Sequence, residues 1–363
     1  SRQNFQAQDG IFNILPKPIE LNTLGEDINA VPEAEMLSIL SRLGLDFTGT
    51  PVLGAKTSAK IECDFAGVST TYFVMRLRQA YIKLNWSKTE LLVGQTWHPM
   101  FGSVMPTIPS ASTGSPFQPF NRSPQLRLKY NFTENISLTG AAIYQMQYMS
   151  QGPNGNSVSY LKNSVLPNVF AGLENKTKKW TSGVGFDVKR IKIKHQFNTS
   201  ASAQAYTQFA DKKLQIKAKA TYGENLSDHM MIGGYGISGK DTTSNEATFT
   251  NFNTLTCWLN AVYGSKIQVG IFAGVSQNLG TNKNLALNSG KFTAYGNGLY
   301  DQQLVDNLYR VAPHVTYNLS NFKLGVEYEL TSAKYGTIQA NGRVTNPYTV
   351  SNHRAMATIS YIF

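Results

Sequence analysis

The stretch Leu53-Gly54-Ala55-Lys56-Thr57-Ser58-Ala59-Lys60-Ile61-Glu62-Cys63-Asp64-Phe65 decides the fold. Its odd positions are apolar or small, and its even positions from 56 to 64 are ionic or hydroxylic. Period-two alternation of this kind describes a strand with two unlike faces, because successive side chains leave a strand on opposite sides. Just before it, Leu43, Leu45 and Phe47 alternate with Arg42, Gly44 and Asp46. Further along, Leu126, Leu128, Tyr130 and Phe132 alternate with Arg127 and Lys129, and Leu214 to Tyr222 alternates with Lys217 and Lys219. The same pattern returns at 255–263, 267–275, 309–317, 322–330 and 355–363. None of these apolar faces carries a charge.

Exclusion of charge from one face has two physical sources. A soluble β-sandwich turns that face to a core. A membrane barrel turns it to lipid, where a charge costs about 2–4 kcal/mol at the bilayer midplane. Run length separates the two, because many runs here reach the 9–11 residues that cross a bilayer at a tilt, against about 5–6 for an ordinary strand. The apolar faces also end often in an aromatic residue, as at Phe47, Phe65, Tyr222, Tyr263, Tyr309, Tyr317 and Tyr361. Aromatic girdles at the two interfaces place them there.

Composition agrees. The chain has 363 residues, of which 15% are charged and 41% hydrophobic, with 18 Tyr, 19 Phe and 4 Trp. Low charge with abundant aromatics excludes a disordered, solvating chain. No apolar run approaches the ~20 residues of a membrane-spanning helix. Cys63 and Cys257 both fall on apolar faces and read as small hydrophobes, so no disulfide framework or redox role is expected. The start at Ser1 reads as a processed or trimmed end.

Connections alternate between tight and extended. Tight ones are expected near 49–52, 86–89, 132–135, 210–212, 264–266 and 319–321, and long ones over 98–124, 149–167, 224–250, 278–304 and 332–352. Short turns on one rim and long loops on the other are the rhythm of an outer-membrane barrel. Fifteen strands are countable from residue 37 onward. The even count of bacterial barrels calls for one more, placed in 8–30, around Ile11–Leu21. The expectation is one domain over 1–363: an all-β, transmembrane, antiparallel barrel of sixteen strands. Residues 1–36 supply an N-terminal segment with the first strand, and loop 98–124 folds inward as a constriction.

Parity puts Arg42, Lys56, Lys60, Arg127, Lys129, Lys213, Lys217, Lys219, Arg310, Lys323 and Arg354 inside, against Asp46, Glu62, Asp64, Glu327 and Glu329. On the strand at 73–86, Arg76 and Arg78 share one parity while Gln79, Tyr81 and Lys83 share the other, so a β-bulge near Gln79 or a change of lining there is expected. Loop 98–124 contains no Asp or Glu, and its titratable groups are His98 and Arg122. A narrowing of that composition facing Arg76, Arg78 and Arg127 raises the local concentration of anions and repels cations. The expected pore-lining and solute-binding residues are therefore Arg76, Arg78, Arg127, Lys129, Arg42, Arg310, His98 and Arg122. Arginine suits carboxylates and phosphates because its fork donates two parallel hydrogen bonds. Trp97, Phe101, Phe117 and Phe120 are expected to pack the loop to the wall rather than to form a sugar slide.

The net charge of +11 is spread over many strands, which does not make a nucleic-acid patch. His98, His195, His229, His314 and His353 show no metal-ligand spacing or nucleophile motif, and Asp228-His229 reads as a structural pair in an outer loop. No catalytic residue, metal or cofactor is expected. A substrate-specific channel with a saturable binding site is the first alternative, and a hydrolase or adhesin acting through its outer loops is the alternative from another class.

Three segments carry a family resemblance. One is Leu77-Arg78-Gln79-Ala80-Tyr81-Ile82-Lys83 with Leu91-Leu92-Val93-Gly94-Gln95-Thr96-Trp97 across a tight turn; another is Arg310-Val311-Ala312-Pro313-His314-Val315-Thr316-Tyr317. The third is the ending Ile359-Ser360-Tyr361-Ile362-Phe363, which looks like the terminal assembly signal of outer-membrane barrels. The first two resemble the DcaP-like outer-membrane channels. That resemblance implies a trimeric sixteen-stranded porin in the outer membrane of a Gram-negative bacterium, in contact with lipid and passing small anionic or polar solutes passively. Residues 1–36 depart from it, lacking the helical heptads that some members carry.

Overall fold

In the computed structural model, residues 5–6, 15–38, 40–67 and 74–363 are described. Among them, fifteen long strands make up the wall: β1 (Arg42–Val52), β2 (Ala55–Asp64), β3 (Arg76–Asn85), β4 (Thr89–Trp97), β5 (Arg122–Asn131), β6 (Ile136–Ile143), β7 (Asn168–Lys176), β8 (Trp180–Ile193), β9 (Gln196–Ala210), β10 (Leu214–Glu224), β11 (Ala247–Gly264), β12 (Ile267–Thr281), β13 (Gln303–Leu319), β14 (Phe322–Ile338) and β15 (Val344–Tyr361). Each pairs antiparallel with the next, and the order leads round a barrel from β15 back to β1. Among the described residues no helix is long and apolar enough to cross a membrane.

Alternation sets the two faces. Val184, Phe186 and Val188 of β8, Ile267, Val269 and Ile271 of β12, and Leu324, Val326 and Tyr328 of β14 are all exposed on the outside. Between them, Asp187, Lys189, Glu327 and Glu329 are buried on the inside. Such an inverted molecule, apolar without and polar within, is stable when its outer band is covered by hydrocarbon. Cys63 and Cys257 are unpaired.

Three expectations need correction. The segment proposed as a further strand, Ile11–Leu21, does not join the wall where it is described; residues 11–14 lie outside the described residues. Leu15–Pro16 pairs instead with Phe5–Gln6 and packs on the inner side of β14 and β15, where Tyr335 donates its hydroxyl to the Pro16 carbonyl at 2.6 Å. Pro16 and Pro18 cannot donate to a ladder, which favours this use over a wall strand. The first turn is Leu53-Gly54, later than expected, with Leu53 at positive φ and 83% exposed, so this leucine belongs to the turn and not to the apolar face. The loop placed at 332–352 shrinks to 339–343, because β14 and β15 continue past the apolar band, pairing Ala333 with Val350 and Thr337 with Thr345.

The bulge is found. Glu62 faces Gln79 and Cys63 faces Leu77, leaving Arg78 as the extra residue. This changes parity within β3, so Arg76 and Arg78 turn inward together with Gln79, Tyr81 and Lys83 while Leu77 and Ile82 are exposed outside.

Candidate functional site

Residues 98–121, between β4 and β5, run through the interior and reach the far wall. A 3-10 turn, Pro99–Phe101, starts the segment, capped by His98, whose Nδ1 accepts from the Met100 amide at 3.1 Å. Pro99 at its first position suits a turn in which that amide is unused. Lys219 of β10 donates to the Phe101 carbonyl at 2.6 Å, and Lys217 to the Met105 carbonyl and Thr107 Oγ1. Asn260 of β11 accepts from the Thr107 amide at 2.8 Å. Further on, Arg354 of β15 donates to Ser110 Oγ at 3.2 Å, and Arg310 of β13 to the Ser115 carbonyl at 2.8 Å.

Apolar packing completes the attachment. Phe117 lies against Phe272 with ring centroids 6.1 Å apart, and Trp258 stands at the same distance from Phe272 while donating to Gln118 Oε1. Trp97 stacks on Phe101 at 4.0 Å and meets Phe120 edge-on at 5.0 Å. Phe101, Phe117 and Phe120 are buried, as expected of packing groups. A hydrophobic core inside a polar-lined barrel thus forms where loop meets wall.

The expected cations fall into different environments. Arg76 forms a two-pronged pair with Asp64 (2.9 and 2.8 Å), and Arg78 bridges Glu62 at 2.6 Å and Asp64 at 2.8 Å; both arginines are buried. They do not stand as uncompensated charges facing the loop, because Glu62 and Asp64 share the inward face across the β2–β3 bulge. Arg42 lies opposite Asp64 in the β1–β2 register and is exposed. Arg310 is buried between Thr331, Glu329 and the loop. Arg122 is also buried: its guanidinium lies 4.8 Å from the Trp97 ring, 5.5 Å from Phe120 and 5.8 Å from Tyr148, whose hydroxyl it contacts. It serves as a cation–π centre rather than a lining residue.

Two expected residues stay half-open to the interior. Arg127 donates to the Trp97 carbonyl at 2.7 Å and to Gln125 Oε1, neutral acceptors both. Lys129 stands 3.8 Å from Glu174. Gln79, Tyr81 and Lys83 of β3 are half-buried on the same inner wall.

His98 is buried at the root of the loop. Its Nε2 stands 3.5 Å from Asp187 Oδ1 of β8, and its ring meets that of His229 edge-on at 4.6 Å. Burial first, and then His229, hold the His98 pKa well below the usual imidazole value, with Asp228 acting the other way. Burial likewise brings His229 down to about 4 against the pull of Asp228. For Asp228 burial pushes upward, but Lys189 and the two histidines outweigh it and hold the carboxyl at about 2. Asp187 and Lys189 were missed in the sequence, although Val184, Phe186 and Val188 alternate around them and that signal was available.

No protein-family model and no curated protein matches the chain. Solved structures do. The outer-membrane channel DcaP of Acinetobacter baumannii superposes with a TM-score of 0.70 at 19% identity, over 93% of this chain and 89% of that one. The trimer form of OmpT, an outer-membrane protein of Vibrio cholerae, gives 0.54 at 11% identity over 88% and 91%. An anion-selective porin from Comamonas acidovorans gives 0.51 at 9% identity over 88% and 86%. The fold of this chain is therefore that of outer-membrane channels.

Proposed function

We propose that the chain is a DcaP-like porin of a Gram-negative outer membrane, a non-enzymatic channel for passive diffusion of small hydrophilic solutes with a preference for anions. The observation that carries this reading is the course of residues 98–121. A segment tied to β10, β11, β13 and β15 leaves the half-buried inward residues Gln79, Tyr81 and Lys83 of β3 and Arg127 and Lys129 of β5 as the part that a solute can meet. On this reading the wall is sealed as a closed ring, and loop 98–121 is its constriction.

Anion preference rests on Arg127. Its hydrogen-bond acceptors are neutral, and the nearby acid Glu90 is already paired with Lys83, so its charge remains to be felt by a solute, whereas Arg76 and Arg78 are matched by Glu62 and Asp64. In the low-dielectric surroundings of a narrow pore one such charge biases permeation, since field lines focus there. Small carboxylates and phosphates are the solute class that a guanidinium fork recognises. A homotrimer is proposed by analogy with the trimer form of OmpT.

Single-channel recording of the purified protein in a planar bilayer tests this, with a salt gradient to read the reversal potential. Stepwise currents reversing on the anion side are expected. Folded protein that carries no current returns attention to the outer loops.

A further inference from the structure

We infer that His98, Asp187 and His229 form a binding site for a divalent transition-metal ion that fastens the root of the inward loop to the wall. The three come from different parts of the chain: the end of β4, the middle of β8, and the 3-10 turn Leu226–His229. One ligand atom from each lies within 4.8 Å of the other two. All three side chains are more than nine-tenths buried. His98 Nε2, Asp187 Oδ1 and His229 Nδ1 are each buried without a hydrogen-bond partner. Orphaned polar atoms are costly in a packed interior, and three that converge point to a species that would satisfy them together.

The chemistry of the donors selects the class. Two imidazoles and one carboxylate suit zinc and its first-row neighbours, and three protein ligands leave a position for water. Bonds of about 2.0–2.2 Å require the donors to draw closer. The His98–Asp187 separation of 3.5 Å is near that already, so the adjustment falls on His229. Asp228 is not available as a ligand: Lys189 occupies one of its oxygens and Gln145 the other. The Lys189–Asp228 pair instead forms a neutral flank, which leaves Asp187 as the acid whose charge a cation would balance.

Proton placement gives the site a consequence. Because His98 Nδ1 accepts from the Met100 amide, Nε2 carries the ring proton in the metal-free form. A metal on Nε2 sends that proton to Nδ1 and ends the bond to Met100. One neutral hydrogen bond is exchanged for a metal–nitrogen bond, and the first turn of the loop shifts. The flanks of the loop are already pinned to the same region, since the Phe120 amide donates to the His229 carbonyl at 2.9 Å and Asn121 to that of Asp228.

The test uses the folded full chain in detergent, stripped with EDTA, re-equilibrated with zinc chloride and desalted, with metal measured by mass spectrometry. About one zinc per chain is expected, falling to background in Asp187→Asn/His229→Gln. Heat-modifiable migration on gels reports that each sample is folded. Cobalt chloride on the wild-type protein supplies a second readout that needs no variant: a strong visible d–d spectrum of four- or five-coordinate cobalt is expected. A weak octahedral spectrum, retained zinc well below one per chain, or zinc equally retained by the folded double variant would overturn the site. Channel recordings on the metal-free protein report separately on the porin reading, because stepwise currents there test the channel whether or not zinc is retained.

Discussion

Arg310 Nη1 donates to the Ser115 carbonyl at 2.8 Å, joining a wall strand to the inward loop across 195 residues of sequence. The same guanidinium reaches Thr331 Oγ1 at 2.8 Å and stands 3.4 Å from Glu329. One buried arginine therefore holds the loop and compensates an acid of the wall.

Arg310→Gln separates those roles from the rest of the attachment. Removing one partner of a buried pair costs about 3–5 kcal/mol when the other charge is left uncompensated, and the loss here is expected at or below that range because Arg354 still pairs with Glu329 at 2.9 Å. The expected outcome is a lower temperature for loss of the heat-modifiable gel band, together with larger and noisier single-channel currents as the loop loosens. Unchanged currents would show that the apolar contacts of Phe117 and Phe120 hold the loop without it.

Gly274 of β12 tests the apolar side of the attachment. A Cβ there would meet the Phe117 ring at 2.5–2.9 Å, and the glycine lies outside the positive-φ region, so the effect of adding one is steric. Gly274→Ala is expected to destabilise by about 1–3 kcal/mol through overpacking. Adding Phe117→Leu should recover part of the loss. A thermal-melt double-mutant cycle measures the coupling, and strict additivity would place Phe117 elsewhere.

Arg127→Gln and Arg76→Gln/Arg78→Gln should behave differently, although all three residues are inward arginines. The first removes a charge held by neutral acceptors and is expected to move the reversal potential toward cations with little change in thermal stability. The second strips Asp64 and Glu62 of their partners and is expected to cost several kcal/mol, in line with about 3–5 for one broken buried pair. Reversal potentials and melts of both variants decide it; a selectivity change confined to the double variant would reassign the pore charge to Arg76 and Arg78.

Tyr335→Phe removes the hydroxyl that holds the Pro16 carbonyl. A net loss of about 0.5–1.5 kcal/mol is the ordinary size for one such hydrogen bond. The N-terminal segment should become more accessible, seen as faster limited proteolysis before residue 38 with the barrel band unaffected. Equal cleavage rates would mean that the packing of Leu15 alone holds the segment.

Period-two alternation determined the barrel, because a lipid-facing side chain and a lumen-facing one experience opposite solvents and the strand presents them in turn. It also located the inward charges of β2, β5, β10, β13, β14 and β15, and the clash of parities at Arg76, Arg78 and Gln79 announced the bulge. The aromatics of loop 98–124, with Trp97 beside it, pointed to a segment packed to the wall. What each inward charge meets was decided only by the tertiary structure. Pairing of Arg78 with Asp64 depends on register across a bulge, and enclosure of Arg122 by Trp97, Phe120 and Tyr148 depends on where the loop returns. Convergence of His98, Asp187 and His229 joins residues separated by 89 and 42 positions, by differences of their numbers. Alternation says which side of the wall a residue faces; which residues meet there is set by how the strands close round and by the path of the loop inside.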